Sequence, residues 1–356
     1  MLKILIMTNF PLIIREWYLQ HGRRLPWRET NDPYKVWISE IILQQTQVKQ
    51  GLDYYRRFIE IFPDVQTLAS TSETQLMQLW QGLGYYSRAR NLHHAAKTIV
   101  TEHNGTIPQT YKKIKTLKGI GPYTAAAIAS FAFNLPYAVI DGNVFRLLSR
   151  IFAIDTPIDT KDGKKRFSEL AERLLDKNDP GTHNQAIMDL GALICKPAAP
   201  LCQACPLAQF CKAFATGTQA NFPVKIKKIS KKKRYLNFIV FQKNHHTIIQ
   251  KRTGKDIWQG LYQFPLIETA GKTSLKEIEK KILLITGEHL SAEKKAQKKH
   301  LLTHQELHTI FYNVSWPLEK DFPESFENIK NITLNIEEAK TMPFPQLIRE
   351  NLKNIL

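Results

Sequence analysis

The chain has 356 residues, enough for about two domains, and 43% hydrophobic and 23% charged residues give it ordinary globular material for real cores. No apolar run approaches the ~20 residues needed to span a bilayer, and four cysteines in so long a chain do not describe a small disulfide-stapled domain. A net charge of +18 favours a polyanionic partner, either nucleic acid or an anionic membrane surface.

Leu2 to Ile6 is apolar but carries Lys3 and has no recognisable cleavage site, so it reads as the lead-in to a helix rather than a secretory signal. An intracellular, reducing compartment follows, which suits free thiols. From about Phe10 to Thr216 the spacing of apolar residues is helical, in segments such as Ser39–Val48, Thr74–Trp80, Tyr123–Ala132 and Phe167–Leu175. Lys225, Lys227, Lys228, Lys231, Lys232, Lys233 and Arg234 then crowd a stretch without an acid, the composition of a solvated linker that can also touch phosphate. Beyond it the period becomes that of strands. Tyr235–Phe241 and Thr247–Lys251 flank a hairpin turn at Lys243-Asn244-His245-His246, Ser274–Leu284 reads as an amphipathic helix, and His308–Trp316 as another strand. The expected organisation is a mostly α domain at 1–217, a basic linker at 218–234 and a smaller α+β domain at 235–356.

Three local patterns carry chemistry. Leu117-Lys118-Gly119-Ile120-Gly121-Pro122-Tyr123-Thr124-Ala125 has two glycines that permit a tight turn. Pro122 suits the first turn of the next helix, whose positive end can receive a phosphate. The pattern is a helix–hairpin–helix signature; its plain alternative is an ordinary turn between helices. About twenty residues on, Val139-Ile140-Asp141-Gly142-Asn143-Val144 places an aspartate where a helix N-cap is the plain reading. After a hairpin that grips a backbone, Asp141 could instead set a carboxylate against a sugar. Finally Cys195, Cys202, Cys205 and Cys211, the only cysteines, fall in one window spaced C-x6-C-x2-C-x5-C. Their confinement points to one shared metal site. Zinc favours two C-x2-C knuckles, whereas a single knuckle with looser arms suits an iron–sulfur cluster, so both stay open on spacing alone.

The hairpin, Asp141 and the cysteine tail together resemble the helix–hairpin–helix DNA glycosylases that carry a [4Fe-4S] cluster. Within that superfamily, three features favour the MutY family of adenine glycosylases over enzymes of the endonuclease III type. Endonuclease III-like enzymes place a nucleophilic lysine where this chain has Tyr123, which cannot form a Schiff base. Lys118, where the family commonly has proline, reads as a phosphate contact. Asp32 to Val48, preceded by Leu25-Pro26-Trp27-Arg28, is similar to the family's catalytic helix and sets Glu40 at the position of its general acid. Most glutamates on helices are surface residues, but the Trp and Ile flanks of Glu40 suggest a less solvated setting that would keep it protonated. The stretch from Gln81 to Arg90 resembles another family loop, and the third feature is the extra C-terminal domain. There Ile257 to Pro265 is similar to the segment that relates it to Nudix hydrolases, but no glutamate cluster for magnesium is found, which implies a binding domain.

The resemblance implies a helical glycosylase domain with a cluster loop and a Nudix-like α+β domain, acting on duplex DNA as a monomer. It implies removal of adenine opposite 8-oxoguanine or guanine, with catalytic roles for Glu40, Asp141, Asn143 and Tyr123. Trp27, Arg28 and Gln185 would surround the adenine, and Gln45 and Tyr85 would wedge into the base stack. Thr46, Leu83, Gly119 and Gly121 join the DNA contacts, and Thr303 and His304 fall where the family senses 8-oxoguanine. All four cysteines would hold the cluster. A bifunctional glycosylase/lyase and a non-catalytic, redox-sensing DNA-binding protein are the alternatives. The first needs an amine at the sugar, and the second has no use for Glu40 and Asp141 together.

Overall fold

The computed structural model describes residues 2–226 and 230–356. Lys227 and Lys228 of the basic linker lie outside the described residues. In chain order the longer elements are α1 (Leu2–His21), α2 (Pro33–Leu43), α3 (Val48–Ile61), α4 (Val65–Ser70), α5 (Glu73–Leu79), α6 (Ser87–Glu102), α7 (Tyr111–Thr116), α8 (Pro122–Phe133), α9 (Gly142–Phe152), α10 (Lys161–Leu174), α11 (Pro180–Leu193) and α12 (Lys212–Ala215). They are followed by β1 (Lys232–Lys243), β2 (His246–Lys251), β3 (Tyr262–Gln263), β4 (Leu266–Thr269), α13 (Leu275–Thr286), β5 (Ala292–Leu301), β6 (Gln305–Ser315), β7 (Ser325–Phe326), β8 (Ile329–Asn335), α14 (Ile336–Thr341), α15 (Gln346–Arg349) and α16 (Leu352–Ile355). The backbone gathers into two compact units, residues 2–70 with 91–226 and residues 71–90 with 230–356.

The first unit is helical, as the apolar spacing predicts. One of its cores packs α1, α9, α10 and α11 around Phe10, Leu147, Phe167 and Leu190, and it extends to Cys195, Leu207 and Phe210 of the cysteine segment. Helix α2 is apolar nearly all round and buried from Val36 to Ile42, so Glu40 is carried inward with its neighbours. The expected helix over Ser39–Val48 is interrupted. It ends at Leu43, Gln45 takes φ 57°, and α3 begins at Val48. The break falls in the polar stretch Gln44-Gln45-Thr46-Gln47, which has no glycine or proline to announce it. Between α7 and α8 the predicted hairpin forms: Gly119 has φ 81°, and a Cβ there would lie 2.6 Å from that of Asn91. Glycine is thus required by backbone conformation and by close approach.

The second unit centres on a mixed eight-stranded sheet. Strand β1 pairs parallel with β6 from Lys232 to Gln242, and on its other edge pairs antiparallel with β4 at its start and β2 at its end. Because alternate residues of a strand face opposite ways, Leu236, Phe238 and Val240 enter one core while Ile239 and Phe241 enter another. The first is covered by Phe264, Phe344, Ile348 and Leu352, the second by Ile278 and Ile282 of α13. The predicted β1–β2 hairpin is closed by Asn244 and His245 at φ 46° and 60°, the positive angles that a two-residue turn of matching twist requires. Helix α13 opens with a Ser274–Glu277 capping box and ends at Gly287.

The segment 71–90, expected within a continuous helical stretch, gathers with the second unit. Gln78 Nε2 donates to the Thr341 carbonyl at 3.0 Å and Gln81 Nε2 to that of Met342 at 3.2 Å. The Arg90 guanidinium donates to the Gln259 carbonyl and side chain. These partners are far apart in sequence, so no local pattern announces them.

Candidate active site

Nine of the residues singled out from sequence border one cavity of about 660 Å³ in the first unit: Trp27, Arg28, Glu40, Gln45, Thr46, Tyr123, Asp141, Asn143 and Gln185. They come from the turn at Pro26–Arg28, from α2 and the break after it, and from the start of α8, the start of α9 and α11. The size is that of a small-molecule or single-base pocket.

Glu40 is 6% exposed. Burial raises its carboxyl to about 7, although a hydrogen bond from Tyr123 and the charge of Arg28 pull it down; Asp141 adds to the rise. Burial, with the nearby Glu40 and Asp141, holds the Tyr123 hydroxyl well above its ordinary value, so it stays protonated and donates to Glu40. Gln44 Nε2 donates to Thr124 Oγ1 at 3.2 Å and fastens the end of α2 to the start of α8.

Asp141 is the N-cap of α9. Its Oδ1 accepts from the backbone N–H groups of Asn143 and Val144, each at 2.8 Å, and its Oδ2 from Asn143 Nδ2 at 2.6 Å. Burial raises this carboxyl too, against those donors and Arg146, each of which favours the ionised form. The extended segment leading to it is anchored by buried Asn184, which accepts from Val139 N and donates to Tyr137 O and Ser130 Oγ. Arg146 Nη2 donates to Asn143 Oδ1 at 2.8 Å, while its Nε reaches the Cys195 carbonyl at 2.7 Å. The cap reading of Asp141 is borne out, and capping fixes its carboxyl group at the cavity wall.

Other cavity contacts were not legible as motifs. Trp27 packs edge-on against Tyr55 at 5.0 Å, and Gln185 Oε1 accepts from Tyr18 OH at 2.6 Å. Arg23, Ser39 and Met188 also border the space. Asp189, behind the wall, is bonded to both Arg23 and Arg28. An aspartate inside the apolar run Ala186-Ile187-Met188-Asp189-Leu190 is the one sequence signal that could have marked it, since a buried charge must find a partner.

Six predicted residues lie away from the cavity. Gly119 and Gly121 are exposed on the hairpin. Leu83, Tyr85, Thr303 and His304 belong to the second unit, where the Tyr85 and Thr303 hydroxyls hydrogen-bond to each other. Gln45 and Tyr85 are both exposed non-glycine residues with positive φ, 57° and 46°. Such backbone outliers collect at functional sites.

The four cysteines are free thiols around a second, small cavity also bordered by Leu147, Arg150, Ile151 and Gln219. Arg150 Nη1 donates to Cys195 Sγ at 3.4 Å and Gln219 Nε2 to Cys202 Sγ at 3.7 Å. Burial pushes the Cys205 thiol up to about 11. Among the described residues no three His, Cys, Asp or Glu side chains gather closely enough to hold a single metal ion. Sulfur ligands spread around a space, with donors turned toward the sulfurs, fit a polynuclear group.

Residues 38–173 match the helix–hairpin–helix superfamily of base excision DNA repair proteins, and residues 237–354 match the NUDIX domain. The adenine DNA glycosylase of Buchnera aphidicola subsp. Baizongia pistaciae is 35% identical over 345 residues, 96% of this chain and 95% of that protein. The chain belongs to the adenine DNA glycosylase family. The human adenine DNA glycosylase is 42% identical over 215 residues, covering 58% of this chain and 39% of that protein. Among solved structures, a thermostable thymine-DNA glycosylase aligns at TM-score 0.56 and 27% identity over 60% of this chain and 99% of that one. A trapped endonuclease III–DNA covalent intermediate aligns at 0.51 and 20% identity over 57% and 93%, a likeness of fold. As an adenine DNA glycosylase the chain is a base excision repair enzyme with a helical glycosylase fold and a NUDIX domain bearing a mixed sheet. Among the described residues no helix is long and apolar enough to cross a membrane.

The buried carboxyl has a consequence for stability. Glu40 binds its proton more tightly folded than unfolded, so its contribution is fully present below its ordinary 4.5 and is lost as pH rises through about 7. At ~1.4 kcal/mol per pH unit the loss is on the order of 3 kcal/mol. Glu40→Gln is therefore expected to be more stable than wild type above about pH 8 and to lose that advantage near pH 5. Urea midpoints of the two proteins across this range check the sign; an advantage that does not change with pH would contradict it.

Proposed function

We propose that the enzyme hydrolyses the N-glycosidic bond of adenine mispaired with 8-oxoguanine or guanine and leaves the DNA strand uncut. The observation that carries this reading is the pairing of two unlike carboxyl groups on one cavity, Glu40 buried with its carboxyl raised to about 7 and Asp141 capped by N–H donors. That asymmetry is the one glycoside hydrolysis uses.

The adenosine is extruded from the duplex so that its base enters the cavity beside Trp27, Arg28 and Gln185. Glu40, steadied by Tyr123, gives its proton to N7 of adenine. The bond from N9 to C1′ then breaks, its electron pair leaving with the base. Asp141 faces the cationic sugar, with Asn143 holding its second oxygen, and water adds its oxygen to C1′ as its released proton restores the ionised Glu40. Tyr123 has no amine, so no Schiff base forms and no lyase step follows. Gly119 and Gly121 offer the hairpin backbone to phosphate, and Thr46 and Leu83 join the contacts to the strands. Gln45 and Tyr85, exposed and strained, are the wedges that open the stack.

The helical domain performs excision, the basic linker that begins at 218 leads into β1 at Lys232, and the NUDIX domain senses 8-oxoguanine through Thr303 and His304. Both are exposed in the β5–β6 hairpin, as a base-reading loop requires. The enzyme works as an intracellular monomer on duplex DNA. Cys195, Cys202, Cys205 and Cys211 hold a [4Fe-4S] cluster, which when bound ties the segment from 195 to 211 into a fixed loop.

Single-turnover release of adenine from an A:8-oxoguanine duplex tests the chemistry. Glu40→Gln and Asp141→Asn should each bind the duplex while losing about 10²–10⁴-fold in rate, the usual worth of acid–base catalysis. The product should be an intact abasic strand that breaks only on heating with alkali. Normal turnover in either variant would remove that residue from the mechanism, and strand breakage without alkali would restore the lyase reading.

The metal assignment is tested separately. Anaerobically purified protein should be brown, with about four iron and four sulfide per chain. Stoichiometric zinc in colourless protein would overturn it.

A further inference from the structure

Asp189 of α11 is wholly buried, with both oxygens engaged. Oδ1 accepts from Arg23 Nε and Arg28 Nη2, each at 2.9 Å, and from Arg23 Nη2. Oδ2 accepts from Arg28 Nη1 at 2.7 Å and from the backbone N–H of Arg23 at 2.9 Å. One carboxylate thus serves two guanidinium groups, leaving a net positive charge at the cavity wall. Burial alone would raise the Asp189 carboxyl, but the Arg28 and Arg23 hydrogen bonds outweigh it and hold it below the usual carboxylate range. Arg23 and Arg28 border the cavity and Asp189 does not. One helical turn earlier on α11, Gln185 does border it, held by Tyr18, whose ring lies 5.8 Å from the Arg28 guanidinium.

We propose that Asp189 is a positioning residue that fixes Arg28 in the wall of the adenine cavity and sets the charge that Glu40 meets there. This rests on the excision reading above. A guanidinium held by two parallel bonds keeps one orientation, which a lone arginine on a short turn does not. Glu40 is faced by Tyr123 from α8, Arg28 from the turn, Asp141 at the head of α9 and Arg23 across the wall. Of these, Arg28 is the cation that lowers its proton affinity. Freed from Asp189, Arg28 would swing toward water and leave Glu40 to hold its proton to higher pH.

The test compares wild type with Asp189→Asn, Arg28→Met and Arg23→Met/Asp189→Asn. The last keeps the group's net charge while stripping Arg28 of its carboxylate, which guards against the single change failing to fold around two unpaired cations. Single-turnover adenine release from the A:8-oxoguanine duplex should fall about 10²-fold in each, the scale of a small misplacement in an active site, with duplex Kd within about threefold of wild type in the two Asp189 variants. The pH midpoint of Glu40, read without turnover from the infrared carbonyl band of its protonated carboxyl, should rise in all three. Adding Asp189→Asn to Arg28→Met should cause no further loss of rate, since Asp189 acts through Arg28. Wild-type rates with an unmoved midpoint in the folded Asp variants, or a loss that adds to that of Arg28→Met, would overturn the proposal. A wild-type protein that releases no adenine would instead sink the excision reading, and the midpoint would still judge Asp189.

Discussion

The hydrogen bond from Tyr123 to Glu40 joins two helices inside the cavity, and it exists because α2 carries its glutamate inward with the apolar residues around it. Burial of an ionisable group is costly unless the group is neutralised or paired. Here burial raises the Glu40 carboxyl to about 7, so it can hold a proton close to neutral pH. A solvated carboxyl on the same helix would be ionised and chemically idle as an acid.

The remaining parts hold unlike groups at fixed places around that acid. Helix α9 begins at the cavity so that its cap is Asp141, and the donors of the first turn favour the charged form that Glu40 avoids. Burial raises both carboxyl groups on the cavity, but only Asp141 is held by backbone N–H donors that favour its charged form. Arg146 links Asn143 to the carbonyl of Cys195, so the cysteine segment and the cavity wall share a side chain. The second unit solves a different problem: a strand buried on both faces fixes the sheet from which the β5–β6 hairpin projects.

Much of this was legible in the sequence where the determining contacts are local. The glycine pair predicts the hairpin, the aromatic and β-branched residues of β1 predict a strand, and Asn244-His245 lies where a two-residue turn forms. The nine cavity residues were found through resemblance to a family whose motifs are long, since no periodicity says that Trp27 and Gln185 meet. The break after Leu43 is hidden because Gln44-Gln45-Thr46-Gln47 holds no glycine or proline, although Gln44, Gln45 and Gln47 all leave the helical region. Asp189 escaped because its partners stand more than 160 positions away in the chain. The grouping of residues 71–90 with the second unit rests on side chains meeting backbone carbonyls, a contact that leaves no mark on composition.

The claim at the centre of this account is that a buried, protonated Glu40 drives excision. It is tested most directly by the pH dependence of single-turnover adenine release, measured on bound duplex so that affinity does not enter. The rate should hold steady below about 7 and then fall about tenfold for each further pH unit as Glu40 loses its proton, with no such limb in the residual activity of Glu40→Gln. A rate that stays level or climbs through that range would contradict it.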